Sequence, residues 1–280
     1  MKFVLNNGIE IPNIGYGTWK LPNDDSTVEI IKNAVASGYR HIDTAFAYGN
    51  ETTVGEGLKS SIVDRKEFFI TGKLWNADRG YENIINACKR TISNLGCEYL
   101  DLYLIHWPAS PALYENWVEI NNETWKAFEY LYEQGLVKAI GVCNFKKHQL
   151  SALIKDAKVM PMVDQIEFHP GHMQKETVEF CHKNNIIVEA WSPLGAGKML
   201  KKDVLIEFAQ KYNKSVAQLC IKWCLQNNVL PLPKSKNLER MQDNLLVNDF
   251  KINEEDMKII NDLPYMGGSG LDSDTIELFN

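Results

Sequence analysis

The sequence predicts an α/β fold, and the arrangement it favours is a (β/α)₈ barrel, the TIM-barrel architecture. Three observations carry this prediction. Short apolar segments alternate with longer amphipathic ones, the alternation repeats eight times, and no linker rich in Pro, Ser or Gly divides the chain. We therefore expect residues 1–280 to form a single domain. A doubly wound parallel sheet shows the same alternation, and periodicity alone does not choose between the two.

The predicted strands are short and rich in Val, Ile, Leu and aromatic residues, which is typical of strands buried on both faces. In chain order they are Asn13–Gly17, Arg40–Asp43, Phe68–Lys73, Leu102–His106, Ala139–Cys143, Met162–Glu167, Ile186–Trp191 and Val229–Pro233. Ahead of them, Phe3–Leu5 and Glu10–Ile11 flank an Asn-Gly turn signal, which predicts a β-hairpin. We expect this hairpin to cover the N-terminal end of the barrel.

Helices are predicted between the strands, where apolar residues recur at helical spacing. Ser26-Thr27-Val28-Glu29 and Ser215-Val216-Ala217-Gln218 have the spacing of capping boxes and predict two helix starts. The segment Tyr81–Leu95 predicts a helix that ends before Gly96. After the last strand we expect extra helices and a glycine-rich tail, Gly267–Asn280.

The composition excludes several function classes. The chain carries 30 basic and 36 acidic residues and a net charge of −6, so we expect no nucleic-acid partner. No apolar segment approaches the roughly 18 residues of a membrane span, and the first residues lack the apolar stretch of a signal peptide. The six cysteines form no C-x-x-C pair and predict free thiols. We expect a cytoplasmic monomer with no membrane partner.

Ionisable side chains collect at the predicted C-terminal ends of the strands, where barrel enzymes carry their chemistry. Asp43 ends the second strand, with Tyr48 shortly after it, while Lys73 ends the third strand and His106 the fourth. A buried Asp or Lys is costly unless it is paired. The four side chains together therefore predict a catalytic site at this rim. The structural alternative is an Asp43–Lys73 ion pair that only fastens two neighbouring strands.

Two other spacings resemble metal sites, and neither predicts one. Cys220 and Cys224 lie one helical turn apart with no further ligand to complete a site, so we expect them in the core. His169 and His172 also lack a third ligand of matching type nearby in the sequence. We therefore expect no metal.

Several segments resemble the aldo-keto reductase family, and they follow one another in order along nearly the whole chain. They are Gly38–Ala45 with Tyr48–Glu51 and Val54-Gly55, Lys138–Phe145, and Leu232–Ser235 with Glu239, Arg240 and Asn244. The resemblance implies a (β/α)₈ barrel and NAD(P)H-dependent reduction of aldehydes and ketones. Within the family the chain is similar to a microbial branch that includes 2,5-diketogluconate reductases and parasite prostaglandin F synthases.

The resemblance places a catalytic tetrad on Asp43, Tyr48, Lys73 and His106. Hydride attack on a carbonyl builds an alkoxide, to which Tyr48 would donate a proton. Lys73 would favour the phenolate, and Asp43 would hold Lys73 charged and in place. His106 would donate a hydrogen bond to the carbonyl oxygen and orient it.

The substrate pocket that the resemblance implies is mainly aromatic. Its residues would be Trp19, Tyr48, Trp75, His106 and Trp107. The segments 109–123 and 267–280 would be the specificity loops. Because the tail is short compared with that of the mammalian aldose reductases, we expect an open site and broad carbonyl specificity.

The resemblance also implies the cofactor contacts, with NADPH expected and NADH as a weaker alternative. The implied residues are Gly17, Thr18, Cys143, Asn144, Gln165, Trp191, Ser192, Leu194, Gly195, Lys234, Ser235, Arg240 and Asn244. Asn144 and Gln165 would hydrogen-bond the nicotinamide carboxamide, and Trp191 would stack on its ring. Lys234, Ser235 and Arg240 would meet the adenosine 2′-phosphate, and Asn244 the adenine. The pyrophosphate would lie along Ser192, Leu194 and Gly195.

One position departs from the family pattern, and two alternative functions stay open. The family usually has Ser where this chain has Cys143, and a thiol is the weaker hydrogen-bonding group, so we expect a somewhat lower nicotinamide affinity. The first alternative is a non-catalytic NADP(H)-binding relative of the same fold, which the intact tetrad positions disfavour. The second is a barrel aldolase in which Lys73 forms a Schiff base, which the cofactor motifs disfavour.

Overall fold

The central sheet is a barrel of parallel strands, shown by a computed structural model that describes residues 3–276. Its strands are β3 (Gly15–Gly17), β4 (His41–Asp43), β5 (Phe69–Leu74), β6 (Leu102–Ile105), β7 (Ile140–Cys143), β8 (Val163–Glu167), β9 (Ile187–Trp191) and β10 (Val229–Leu232). Neighbours in sequence pair in order, and the backbone N–H of Gly17 donates to the carbonyl of Pro233 at 3.2 Å. The first and last strands therefore meet, which confirms the (β/α)₈ barrel over an open sheet.

The predicted strands are all present, with bounds that differ by at most two residues. Every residue of β4, β5, β6, β7 and β8 is buried, because one face meets the barrel interior and the other meets the helices. Burial on both faces explains why these segments are apolar without the alternation of a half-exposed strand.

Helices surround the barrel. They are α1 (Asp25–Ala36), α2 (Glu51–Lys59), α3 (Tyr81–Leu95), α4 (Trp117–Glu133), α5 (Lys147–Leu153), α6 (Lys175–Lys183), α7 (Asp203–Lys211), α8 (Val216–Gln226), α9 (Leu238–Leu245) and α10 (Glu254–Asn261). The predicted α3 is confirmed, and it ends at Gly96 in the left-handed region, with φ of 61°. The capping box of α8 is confirmed as well, because Ser215 and Gln218 bond each other's backbone N–H. Helix α9 follows the eighth barrel strand and completes the ring of helices, so α10 is the expected C-terminal addition.

The start of α1 differs from the prediction. Ser26 is not its capping residue, because the carboxylate of Asp24 accepts from the backbone N–H of Ser26 at 2.9 Å. The Ser26 hydroxyl also donates to that carboxylate, at 2.5 Å. A charged acceptor at a helix N-terminus gains from the helix dipole, so the aspartate two residues earlier takes the capping position.

A hairpin covers the N-terminal end of the barrel, as predicted. Its antiparallel strands are β1 (Phe3–Val4) and β2 (Glu10–Ile11). In the turn between them, the side-chain amide of Asn6 donates to the carbonyl of Pro161 at 3.0 Å, and that of Asn7 donates to the carbonyl of Lys138 at 3.1 Å. Both carbonyls precede barrel strands, so the hairpin is fastened to the end opposite the predicted site.

The chain after α10 returns to the C-terminal end of the barrel. The backbone N–H and the hydroxyl of Ser269 donate to the carboxylate of Glu167, at 2.9 and 2.6 Å. Further along, the ammonium of Lys146 donates to Asp272 and Asp274 at 2.5 and 2.8 Å. This part of the tail lies beside the barrel mouth, while residues 277–280 of the expected specificity segment lie outside the described residues. Within residues 3–276, no helix is both long enough and apolar enough to span a bilayer.

Candidate active site

A cavity of about 550 Å³ opens at the C-terminal end of the barrel. The predicted residues that line it are Gly17, Trp19, Asp43, Tyr48, Trp75, His106, Trp107, Cys143, Asn144, Gln165, Trp191, Ser192, Leu194 and Lys234. Those that do not line it are Thr18, Lys73, Gly195, Ser235, Arg240 and Asn244. Residues far apart in sequence meet here because the carboxyl ends of parallel strands form one rim.

The ion pair between Lys73 and Asp43 is buried at the floor of the cavity. The Lys73 ammonium is fully buried and donates to the two carboxylate oxygens of Asp43 at 2.7 and 2.6 Å. The same ammonium contacts the hydroxyl of Tyr48 at 3.3 Å. Asp43 lies at the end of β4 and Lys73 in the neighbouring β5, so the pairing of these two strands brings the charges together. The structure thus joins three of the four predicted tetrad residues.

Burial and neighbouring charges together determine the ionisation of this floor. It raises the pKa of Tyr48 above its ordinary value, and the nearby ammonium of Lys73 offsets only part of that rise. Burial alone would lower the pKa of Lys73, but the charge of Asp43 and the nearby Tyr48 and Cys143 outweigh it, so the pKa of Lys73 is raised. At neutral pH the floor therefore holds a protonated phenol beside a charged ammonium.

The fourth predicted tetrad residue, His106, stands beside the tyrosine. Its ring packs edge-on against Tyr48, with centroids 5.7 Å apart, and against Trp75, at 5.4 Å. Burial and the positive charge of Lys73 hold the pKa of His106 well below its usual range, so the imidazole is neutral at neutral pH. Among the described residues, its buried Nδ1 has no hydrogen-bond partner. The sequence alone did not determine this protonation state.

The Asn144 amide is joined by hydrogen bonds to a thiol and an indole at the rim. Asn144 follows β7 with a left-handed backbone, φ of 64°, a conformation that Asn tolerates better than most residues. Its amide nitrogen donates to the carbonyl of His106 at 2.9 Å and to the sulfur of Cys143 at 3.1 Å. The indole N–H of Trp191 donates to the amide oxygen of Asn144 at 2.8 Å. These bonds fix the Trp191 ring beside the cavity.

Positive charge collects at one side of the cavity mouth. Partial burial lowers the pKa of Lys234, and the charges of Lys236 and Lys20 lower it further. No carboxylate in the described part of the chain forms an ion pair with Lys234, so this charge is available to an anion. The predicted Ser235 bonds the backbone of Asn237, and the guanidinium of Arg240 is exposed on α9.

Thr18, Gly195 and Asn244 are the remaining predicted positions, and all three are buried. The Thr18 hydroxyl donates to the backbone carbonyl of Asp43 at 3.0 Å. Gly195 has a left-handed backbone, with φ of 54°, next to the cavity residue Leu194. Asn244 lies close to the buried side chain of Tyr39, whose hydroxyl donates to the carbonyl of Met241 at 3.2 Å.

Comparison with known proteins agrees with the sequence resemblance. The sequence pattern of the aldo/keto reductase family matches residues 13–264. A 9,11-endoperoxide prostaglandin H2 reductase of Trypanosoma cruzi (strain CL Brener) is 45% identical over 92% of this chain and 90% of its own. The chain belongs to the aldo/keto reductase family. It is therefore an oxidoreductase.

Further relatives of this aldo/keto reductase span nearly its whole length. A glyoxal reductase of Bacillus subtilis (strain 168) is 46% identical over 92% of this chain and 91% of its own. An aldo-keto reductase from a Medee basin deep-sea metagenome library superimposes with a TM-score of 0.91 and 40% identity, covering 98% of both chains. A variant of Gox0644, solved in complex with NADPH, gives a TM-score of 0.91 and 39% identity over 99% of this chain and 98% of its own.

Several cavity residues of this aldo/keto reductase were not predicted individually. They are Lys20, Ala47, Pro193, Ala196, Gly197, Leu200, Leu232, Pro233, Ser269 and Leu271. Lys20 follows the predicted Trp19 directly, so its position after a strand could have identified it as a cavity residue. Leu271 reaches the cavity because long-range bonds, such as those of Ser269 to Glu167 and of Lys146 to Asp272, hold the tail at the mouth, and no local pattern reveals such contacts.

Proposed function

We propose that this aldo/keto reductase reduces aldehydes and ketones to alcohols with NADPH, and that Tyr48 supplies the proton. The observation that carries the proposal is the contact between the Lys73 ammonium and the Tyr48 hydroxyl, 3.3 Å apart at the floor of the cavity. Two of the relatives are named as reductases, and one structural neighbour was solved with NADPH. Both facts support NADPH-dependent carbonyl reduction.

The cavity has groups suited to each end of NADPH. At the inner end, the amides of Asn144 and Gln165 suit the nicotinamide carboxamide, and the ring of Trp191 suits its flat face. At the mouth, the charge of Lys234, with Lys20 nearby, suits the 2′-phosphate and favours NADPH over NADH. The other proposed contacts are Gly17, Thr18, Cys143, Ser192, Leu194, Gly195, Ser235, Arg240 and Asn244.

Bound NADPH supplies hydride to the carbonyl carbon. Because burial keeps the Tyr48 phenol protonated at neutral pH, its proton is available to the developing alkoxide. Lys73, held charged by Asp43, lowers the cost of the phenolate that remains. The neutral His106 can donate a hydrogen bond to the carbonyl oxygen and orient it toward Tyr48.

The walls of the cavity support a broad specificity for carbonyl compounds. Trp19, Trp75 and Trp107 line it together with Leu200 and Leu271, so most of the wall is apolar and few groups select a particular substrate. The names of the relatives also support broad specificity, because glyoxal and a prostaglandin differ greatly in size. Similar kcat/KM values for small α-dicarbonyls, aromatic aldehydes and bulky ketones would support this proposal. A strict preference for one of them would reject it.

The deciding experiment is a screen of the purified protein against a panel of carbonyl compounds, with NADPH and NADH consumption followed by absorbance. We expect turnover with NADPH. Tyr48→Phe should abolish it while NADPH binding stays almost intact, and retained turnover would remove Tyr48 as the acid. No consumption across the panel would favour the non-catalytic alternative, and borohydride trapping of substrate on Lys73 would favour the aldolase.

We also propose that the enzyme acts as a monomer in the cytoplasm. The described part of one chain supplies the floor, the walls and both ends of the cavity, so the site needs no residue from a second subunit. The six cysteines are free thiols, which suits a reducing compartment. Light scattering of the purified protein should give the mass of one chain, and a stable dimer would contradict the proposal.

A further inference from the structure

A second acidic side chain lies beneath the cavity, and the proposed mechanism does not use it. Glu189 is completely buried on β9 and is the register partner of Gln165 on β8. The amide nitrogen of Gln165 donates to Oε2 of Glu189 at 2.8 Å and to Oδ2 of Asp43 at 2.8 Å. This nitrogen is therefore held between two carboxyl groups.

The two carboxyl groups determine which way the Gln165 amide points. An amide nitrogen has two N–H donors, and here each donor meets a carboxyl oxygen. The reversed orientation would set the amide oxygen of Gln165 against the carboxylate of Asp43 and take both N–H donors away from their carboxyl acceptors. The observed orientation instead leaves the amide oxygen free for other donors, and the thiol of Cys143 donates to it at 3.9 Å. Without Glu189, only Asp43 would hold the amide.

Packing does not explain an acid at this position. Burial, and then the charge of Asp43, raises the pKa of Glu189 to about 8, so the group is mostly uncharged at neutral pH. Its Oε1 has no hydrogen-bond partner among the described residues, and Nε2 of His41 is 3.8 Å away. A buried polar group with an unsatisfied atom costs more than an apolar side chain of similar volume. The bond to Gln165 is what an apolar residue could not provide.

We propose that Glu189 is a positioning residue that fixes the Gln165 carboxamide for the nicotinamide end of the cofactor. The proposal rests on the proposed function, because it requires Gln165 to contact NADPH. It predicts that Glu189 affects the affinity for the nicotinamide part of the cofactor and leaves the affinity for the adenosine phosphate part unchanged.

The test compares two ligands by calorimetric titration. One is NADPH, and the other is 2′-phospho-ADP-ribose, which lacks the nicotinamide. Glu189→Leu, which keeps the volume but removes the acceptor, should weaken NADPH binding about fivefold to tenfold. Binding of 2′-phospho-ADP-ribose should not change. Glu189→Gln keeps an amide oxygen that can accept the same bond, so it should bind NADPH within about twofold of the unmodified protein.

Asp164 offers a matched control. It is also completely buried on β8, but its carboxylate contacts the thiol of Cys181, on the helix side, rather than Gln165. Asp164→Leu should leave both affinities unchanged in the folded protein. If Glu189→Leu does not fold, Glu189→Met serves in its place, with circular dichroism confirming the fold.

A double variant distinguishes a positioning role of Glu189 from a general disruption of the structure. In a Gln165→Leu background, Glu189→Leu should not weaken NADPH binding further, because the group that it positions is gone. An additive loss, an equal loss for both ligands, or no loss in the single variant would overturn the proposal. If the unmodified protein reduces carbonyls with NADPH and Glu189→Leu binds NADPH normally, only this inference fails. If the unmodified protein does not bind NADPH, the proposed function fails.

Discussion

The two ends of the barrel are built from the same strands and contain opposite kinds of side chain. The hairpin at the N-terminal end buries apolar residues, with Phe3, Leu5 and Ile11 each at most 3% exposed. The C-terminal end buries Lys73 and Glu189, both 0% exposed. Apolar burial stabilises a fold, whereas buried ionisable groups cost free energy unless they are paired.

This difference indicates that the two ends of the barrel have separate roles. Contacts at the hairpin end should set the free energy of unfolding, and groups at the cavity end should set cofactor binding and rate. Unless it leaves a buried charge without its partner, a substitution at one end should therefore move one property and leave the other nearly unchanged. Each prediction that follows tests this separation.

The largest expected effect is on the rate, from Lys73→Met. Removing the ammonium takes away the charge that stabilises the Tyr48 phenolate, so kcat should fall by about a thousandfold. The variant also leaves Asp43 buried without its partner, which should lower the free energy of unfolding by about 3 kcal/mol. Steady-state kinetics and urea unfolding measure the two effects.

The double variant Asp43→Asn/Lys73→Met separates rate from stability. It removes both buried charges, so most of the lost stability should return while kcat stays low. If kcat recovered together with stability, the ion pair would have only a structural role. The cavity end would then contribute to stability, as the hairpin end does.

Leu5→Ala should have the largest effect at the hairpin end. Leu5 is 2% exposed, and truncating a leucine with so little exposure costs about 2–4 kcal/mol of unfolding free energy. Because Leu5 lies at the opposite end from the cavity, kcat/KM of the folded protein should stay within about twofold. Thermal unfolding and kinetics below the transition test this together. A lowered kcat/KM would show that the two ends are coupled.

The sequence predicted most of the difference between the two ends of the barrel, because the patterns that indicate it are local in the sequence. The strands could be recognised because burial on both faces makes them apolar, and Asp43, Lys73 and His106 stood out as ionisable residues on such strands. Glu189 is also an ionisable residue on a predicted strand, but its role could not be assigned, because its partner Gln165 lies 24 residues away and Asp43 lies a further 122 residues from Gln165. The sequence also did not reveal that His106 is neutral, because burial determines its protonation state.

Lys234→Met tests the cavity mouth. The side chain has no carboxylate partner in the described part of the chain, so its removal should affect the ligand rather than the fold. We expect the Kd of NADPH to rise about tenfold, because the variant loses one charge-assisted contact to a phosphate and its contribution to the binding free energy. The Kd of NADH and the unfolding midpoint should not change. Equal weakening of both cofactors would show that Lys234 does not discriminate at the 2′-phosphate.

The smallest expected effect comes from Cys143→Ser. The thiol lines the cavity next to the amide nitrogen of Asn144, and burial raises its pKa well above the ordinary value, so it remains an uncharged, weak hydrogen-bonding group. A hydroxyl at the same position should bind the nicotinamide carboxamide better and lower the Kd of NADPH about threefold. Cys97→Ser, at a half-buried thiol away from the cavity, should leave that Kd unchanged. Weaker binding in Cys143→Ser would mean that the bulk of the sulfur, rather than its hydrogen bonding, shapes the nicotinamide end of the cavity.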